Sequence, residues 1–291
     1  MLLKKKLFCI CMTFLILFFV SCGVSEKQKF ISQLRLSVTP SIYNSGLLAV
    51  LLPAFKEEYK VDVIVTQAYT QESMRLALQG KLDIIMVDNI DYEKEFVTNK
   101  FGVNSKNIMY NEFIIVGPSN DPAGIKGEGV IKSFIKIARN RSLFVAPAKD
   151  SGAKRREEQI WSFAHISPKG NWYLQINDKE KNIPLFFANE KNAYCLVDKA
   201  NFLMYKDRIG LEILCEKDRL LFNPYTVLAI NAQKIENVNY MYALTFIDWI
   251  DSLKAKKIIK EYKIYDEPLF YLIEEKLYKK YIENFKDMNK D

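Results

Sequence analysis

Segments that read as strands alternate with segments that read as helices along most of this chain. That alternation restricts it to an α/β fold, with mainly parallel sheet. Residues 34–39 (LRLSVT) alternate like a strand, and LLAVLLPAFKEEY follows as a helix that Asn44-Ser45-Gly46 can cap and Pro53 should kink. Residues 61–67 give a second strand; Thr70 opens the helix TQESMRLALQG, which Gly80 closes. A third strand covers 82–88, a helix 92–99, and a fourth strand 112–116 (EFIIV), ending at Gly117-Pro118. Beyond the loop PSNDPAGIKGEG the pattern restarts. It runs through a helix over 130–141, a strand LFVA, a helix begun by Asp150-Ser151-Gly152, a helix over 183–189, a strand AYCLV and a helix from Asp198. Residues 222–230 then return as a strand, and helices over 240–250, 252–262 and 273–285 finish the chain. Two α/β units joined by crossings near residues 116 and 226 predict two lobes, 34–115 plus 228–291 and 116–227, hinged about a cleft.

The first residues obey a different logic. Lys4, Lys5 and Lys6 precede an apolar run of about 14 residues, shorter than the roughly 20 that a bilayer-spanning helix needs, so residues 1–21 read as a signal peptide. Phe19-Val20-Ser21-Cys22 resembles the lipobox of bacterial lipoproteins, with Phe19 where that pattern prefers Leu. Cleavage there exposes Cys22 for lipidation, by palmitate among other acyl chains. Residues 22–33 then form a polar tether that holds the body on a membrane outside the cytoplasm.

Composition narrows what the body does. A hydrophobic content of 49% excludes disorder, and the net charge of +7 includes the three leader lysines. Both signs are interspersed without a basic, aromatic-laced stripe, which argues against nucleic acid as a partner. Cys195 and Cys215 remain after the leader leaves, both in strand-like segments, and two buried free thiols are expected. With a single histidine, His165, at a helix end and no CxxC, a His- or Cys-built metal site is excluded. There is no GxSxG, P-loop or GxGxxG; the paired carboxylates Glu57-Glu58, Glu157-Glu158 and Glu274-Glu275 read as solvated helix faces. An enzyme is not expected, no cofactor is implied, and a monomer is.

Ligands of parallel α/β sheets gather beyond the carboxyl ends of strands, where helix N-termini present free amides. The groups there are Thr39 and Ser41 after the first strand, Thr70 after the second, Asp88 after the third, and Lys149 and Ser151 in the second unit, with Lys154 one turn on. Hydroxyls and amides so placed suit an anion, although each Ser and Thr is also an ordinary helix cap. Lys154, Arg155 and Arg156 read either as an anion clamp or as a solvated face.

Five segments in order, SIYNSGLLAVLLPAF, MYNEFIIVGPSNDPAGIKG, DSGAKRREEQIW, LLFNPYTVLAIN and FIDWI, resemble the tungstate-binding receptors of bacterial ABC importers, over residues 34 to about 271. The resemblance implies a type II periplasmic-binding-protein fold, an oxyanion held in the cleft, and a membrane permease and its ATPase as partners. The family's site is less well kept than its scaffold. Its Thr-Thr-Thr-Ser run is Val38-Thr39-Pro40-Ser41, its Gly-Thr-Gly turn is Tyr69-Thr70-Gln71, and its Ser-Arg-Gly is Ala146-Pro147-Ala148. Its Thr-His pair after Ser-Gly is Ala153-Lys154, a later hydroxyl is Pro184, and a neutral residue has become Asp88 or Asn89. These departures predict a changed ligand or weakened tungstate binding. A surface lipoprotein that reuses the scaffold for interaction is the alternative. The tail departs as well: Ile273, Leu277, Tyr281 and Phe285 give its last helix an apolar face.

Overall fold

Side chains two apart in the strand patterns become the core of one mixed sheet. The computed structural model describes residues 32–176 and 184–276, together with 278, 279 and 283. The signal peptide, Cys22 and its tether lie outside the described residues, as do Leu277, Tyr281 and Phe285. The strands in chain order are β1 (Ser32–Val38), β2 (Val61–Gln67), β3 (Ile84–Val87), β4 (Gly102–Gly117), β5 (Phe144–Val145), β6 (Tyr173–Leu174), β7 (Tyr194–Asp198), β8 (Glu212–Cys215) and β9 (Phe222–Ile230). A small hairpin, β10 (Lys263–Ile264) and β11 (Glu267–Pro268), precedes β12 (Tyr271–Leu272). The main sheet runs β2-β1-β3-β9-β4-β7-β5-β6, with β8 and β12 also on β4.

β1 with β3, and β5 with β6 and β7, pair parallel, as the alternating pattern predicts. β4 and β9 do not. β9 runs antiparallel to both β3 and β4, because one strand carries the chain across the sheet and the other brings it back. β4 is 16 residues long and changes partners within itself. Residues 102–112 face β9, and residues 113–116 face β7. The return is complete before Phe222, since all of β9 lies against the first part of β4. The change of partner in β4 falls between Glu112 and Phe113, and β9 begins at Phe222.

The helices are α1 (Pro40–Asn44), α2 (Leu48–Tyr59), α3 (Thr70–Leu78), α4 (Ile90–Thr98), α5 (Val130–Arg139), α6 (Gly152–Phe163), α7 (Pro184–Lys191), α8 (Lys199–Tyr205), α9 (Tyr240–Ile250) and α10 (Leu253–Glu261). α1 went unread because five residues are too few for a periodicity; Pro40 starts it at a position where the missing N–H costs nothing. The largest apolar cluster includes Phe55, whose ring lies 5.0 Å from Phe246 and 5.2 Å from Trp249. A second gathers Phe134, Phe144 and Trp161 beneath α5 and α6, with centroids 4.3 to 5.6 Å apart. Full burial of each such side chain contributes about 1.5–3 kcal/mol. Cys195 and Cys215 are free and buried, and burial pushes both thiols up, Cys215 to about 11. His165 is exposed at positive φ just beyond α6.

Candidate functional site

A cavity of about 120 Å³ opens where the ends of β1, β3 and β7 meet the starts of α1, α6, α7 and α8. Its floor is a buried polar network. Asp198 ends β7 and caps α8, its Oδ1 accepting from Ala200 N at 2.9 Å and Asn201 N at 3.3 Å. Its Oδ2 accepts from Asn111 Nδ2 on β4 at 2.6 Å and from the Tyr225 hydroxyl on β9 at 3.0 Å. Tyr225 Oη in turn lies 3.1 Å from Ser41 Oγ, which lies 3.0 Å from Thr39 Oγ1. Asn223 Nδ2 donates to Tyr225 Oη at 3.0 Å and to Asn111 Oδ1 at 2.9 Å. The crossing strands are thus tied to the ends of β1 and β7 through one carboxylate. Burial raises the pKa of Asp198, and these donors draw it back down.

Asp88, the residue after β3, forms part of the wall. Its Oδ1 accepts from Thr70 Oγ1 at 3.3 Å. Its Oδ2 lies against the first turn of α6, where a Cβ added to Gly152 would approach it to 2.8 Å; only glycine leaves the carboxylate that room. A carboxylate at a helix N-terminus is favourably placed. Burial nevertheless pushes the Asp88 pKa up to about 7, and the negative charge of Asp198 adds to the rise. Asn89 turns away and caps α4, accepting from Tyr92 N at 3.3 Å. Of the two residues that replace the family's neutral position, Asp88 is the one in the cleft.

The expected ligand residues divide. Thr39, Ser41 and Ser151 line the cavity. Ser151 also caps α6, accepting from Lys154 N at 3.0 Å and donating to Ala148 O at 2.7 Å. Thr70 sits behind Asp88, and the N-cap position of α3 is Tyr69. Lys149 is exposed and is not part of the lining. Lys154 points away from the cavity, its Nζ 2.6 Å from both Glu157 Oε2 and the Tyr173 hydroxyl. The basic run is not one device, because each side chain has its own partner, and only Arg155 stays at the surface. Arg155 reaches Asp91 at 3.1 Å, and Arg156 is buried with Nη1 donating to Leu220 O at 2.7 Å. Glu157, read as solvated, is fully buried: the spacing of Lys154, Trp161 and the Tyr173 hydroxyl around it makes an internal site for one carboxylate.

Asp198, Asn111, Asn223, Tyr225 and Asn201 were not singled out in the sequence as site residues. An Asp closing the strand AYCLV just before a helix was the available signal for Asp198; the asparagines gave none. Among the described residues no lysine or arginine lines the cavity, while two carboxylates do. Pro147, Ala153 and Pro184, where the resemblance implied donors, supply apolar wall instead. No group of three or more His, Cys, Asp or Glu side chains able to hold a metal ion occurs among the described residues.

A family model described as a PBP superfamily domain matches residues 24–252. The tungstate-binding protein TupA of Peptoclostridium acidaminophilum is 35% identical over 253 residues, covering 85% of this chain and 88% of its own. The solved tungstate ABC transporter protein of Geobacter sulfurreducens is 36% identical with a TM-score of 0.73, over 79% of this chain and 98% of that one. TupA of Desulfovibrio alaskensis G20 is 30% identical with a TM-score of 0.74, over 84% and 100%. These relatives are binding proteins and not enzymes.

Proposed function

The chain belongs to the PBP superfamily, and on that premise we propose that it is the extracytoplasmic solute-binding lipoprotein of an ABC importer, an oxyanion receptor on the tungstate-receptor scaffold whose diverged site has changed its ligand or weakened its hold on tungstate. The observation that carries this reading is the cavity wall: Asp88 and Asp198 line it, and no lysine or arginine does among the described residues. Hydrogen bonds to a charged group contribute about 1.5–3 kcal/mol each, so exchanging donors for proline and alanine removes much of what holds a small dianion. Two nearby carboxylates oppose it further.

The fold supports a hinged receptor. Residues 32–112 with 222–272 form one lobe and residues 113–221 the other, the division following the change of partner in β4. The protein works as a monomer held by lipid on Cys22, and the tether raises its concentration near a permease and ATPase. Calorimetry of the purified body with sodium tungstate and sodium molybdate tests the changed ligand. Weak or absent heats are expected, and nanomolar binding of either salt ends the idea. Stimulation of ATP hydrolysis by the reconstituted permease and ATPase tests the receptor role separately; its absence favours the interaction-protein alternative.

A further inference from the structure

We propose that the cleft of this receptor takes an oxyanion that carries a proton, the ligand hydroxyl donating to the Asp88 carboxylate while its bare oxygens meet the first turn of α6. The inference rests on the oxyanion-receptor reading and narrows the ligand class of that same site.

Donors and an acceptor stand side by side in the wall. Gly152 and Ala153 begin α6 and line the cavity. The Lys154 N–H is taken by Ser151 Oγ, while the Gly152 and Ala153 amides, at the start of the helix, have no helical carbonyl to donate to. With the hydroxyls of Thr39 and Ser41, 3.0 Å from each other, they are the donors for bare anion oxygens. Asp88 Oδ2 lies against the same Gly152, where an added Cβ would come within 2.8 Å of it. An anion seated on that turn therefore turns one of its oxygens toward a carboxylate.

Asp88 has acceptor capacity to spare. An ionised carboxylate has room for about four hydrogen bonds, and Asp88 accepts one, from Thr70 Oγ1 at 3.3 Å. Asp198 has donors on both oxygens and is already spent as the floor of the site. A bare anion oxygen meets Asp88 as charge against charge. A ligand hydroxyl meets it as a donor to an ionised acceptor, the stronger class of hydrogen bond.

No cation shields that encounter. Among the described residues no lysine or arginine lines the cavity. Arg156 stands behind the wall, its guanidinium 5.8 Å from the ring centroid of Phe113, which does line it. Its charge lowers the Asp88 pKa, while burial and Asp198 raise it, to about 7 on balance. Tyr69, itself beside Asp150, and Tyr225 face Asp88 as neutral phenols, since burial raises both their pKa values. At pH 8 about one Asp88 carboxyl in ten is therefore protonated, and a proton-free anion has to find that tenth.

The test compares sodium phosphate with sodium sulfate by calorimetry of the purified body at pH 8 and pH 6. At pH 8 phosphate is chiefly the monohydrogen dianion, so the two anions share shape and charge and differ by one proton. Phosphate should bind saturably at pH 8 and at least tenfold more tightly than sulfate, a comparison that needs no variant. Lowering the pH to 6 should tighten sulfate about tenfold, because Asp88 then supplies the missing proton. Asp88→Asn, near-isosteric and checked by its melting curve, should bring the two anions within about twofold and remove the pH dependence of sulfate. Equal affinities at pH 8, a sulfate affinity indifferent to pH, or a phosphate preference that survives Asp88→Asn overturns the inference and leaves an oxyanion receptor in place. Absence of saturable phosphate binding overturns it as well; if sulfate, tungstate and molybdate are silent too, the oxyanion reading falls with it.

Discussion

Asp88 concentrates the residue-scale argument. Its carboxylate is the feature that separates this cleft from an ordinary oxyanion site, and burial makes its ionisation unfavourable. Burial raises its pKa from the ordinary 3.8 to about 7. The charged and titratable groups around it are Asp198 at the end of β7, Arg156 on α6, Tyr69 before α3 and Tyr225 on β9. Between those two pKa values the folded state holds a proton that the unfolded state has lost, so stability is full below the lower value and falls as pH rises through the window. The expected slope is about 1.4 kcal/mol per pH unit from this residue alone. Thermal unfolding from pH 4 to pH 8 should show the decline, and Asp88→Asn should flatten it; parallel curves refute the assignment. Asp88 was legible in the sequence as a group beyond a strand end. Asp198 was not, because a strand-terminal Asp before a helix is first of all a cap, and its second oxygen is claimed by residues 87 and 27 positions away.

At the scale of elements, α6 shows where local pattern reading succeeds and where it stops. Ser151 before a Gly marked the start of the helix, and the cap hydrogen bond is there. Three basic residues in its first turns looked like a single device, yet they leave the helix in three directions because successive positions are about 100° apart. Lys154 goes inward, with 12% of its side chain exposed against none for Glu157. Burial raises the Glu157 pKa, and the neighbouring Lys154 charge is the chief influence lowering it. Lys154→Met should therefore strand a buried carboxylate and destabilise the body by about 3 kcal/mol, the low end of the 3–5 typical of a broken buried pair because Trp161 and Tyr173 still donate. Adding Glu157→Gln should recover most of the loss. Additive losses in urea titrations of the two single variants and the double variant count against the pair. Ligand affinity should stay within about twofold in Lys154→Met, since the ammonium is outside the cavity lining.

For the whole molecule, the alternation of strands and helices carried the fold class, and the positions of most elements followed from periodicity. The change of partner in β4 has no mark in the sequence: the apolar pattern read over 112–116 is only the end of a strand that begins at Gly102 and carries Asn104, Lys106 and Asn107 in its first half. In the two-lobe division proposed above, β4 and β9 are the hinge, and the contacts that would close it lie at the cleft mouth. Arg155 on α6 reaches Asp91 on α4 at 3.1 Å and lies 5.0 Å over the ring of Tyr92, so one side chain of α6 holds two residues of α4. The ion pair is largely exposed, 39% and 56%, and such pairs contribute only about 0–1 kcal/mol. With an exposed cation–π contact of similar size, the latch totals about 1 kcal/mol. That is too little to stabilise the fold noticeably but enough to bias an open–closed equilibrium about fivefold. Arg155→Ala should leave the melting temperature nearly unchanged while increasing the radius of gyration of the ligand-free body in small-angle scattering at low salt. High salt should produce part of the same expansion in the parent protein, because screening weakens an exposed pair. An unaltered scattering curve in both experiments would mean that the lobes are held by the buried network around Asp198 and Tyr225, and that closure owes nothing to the cleft mouth.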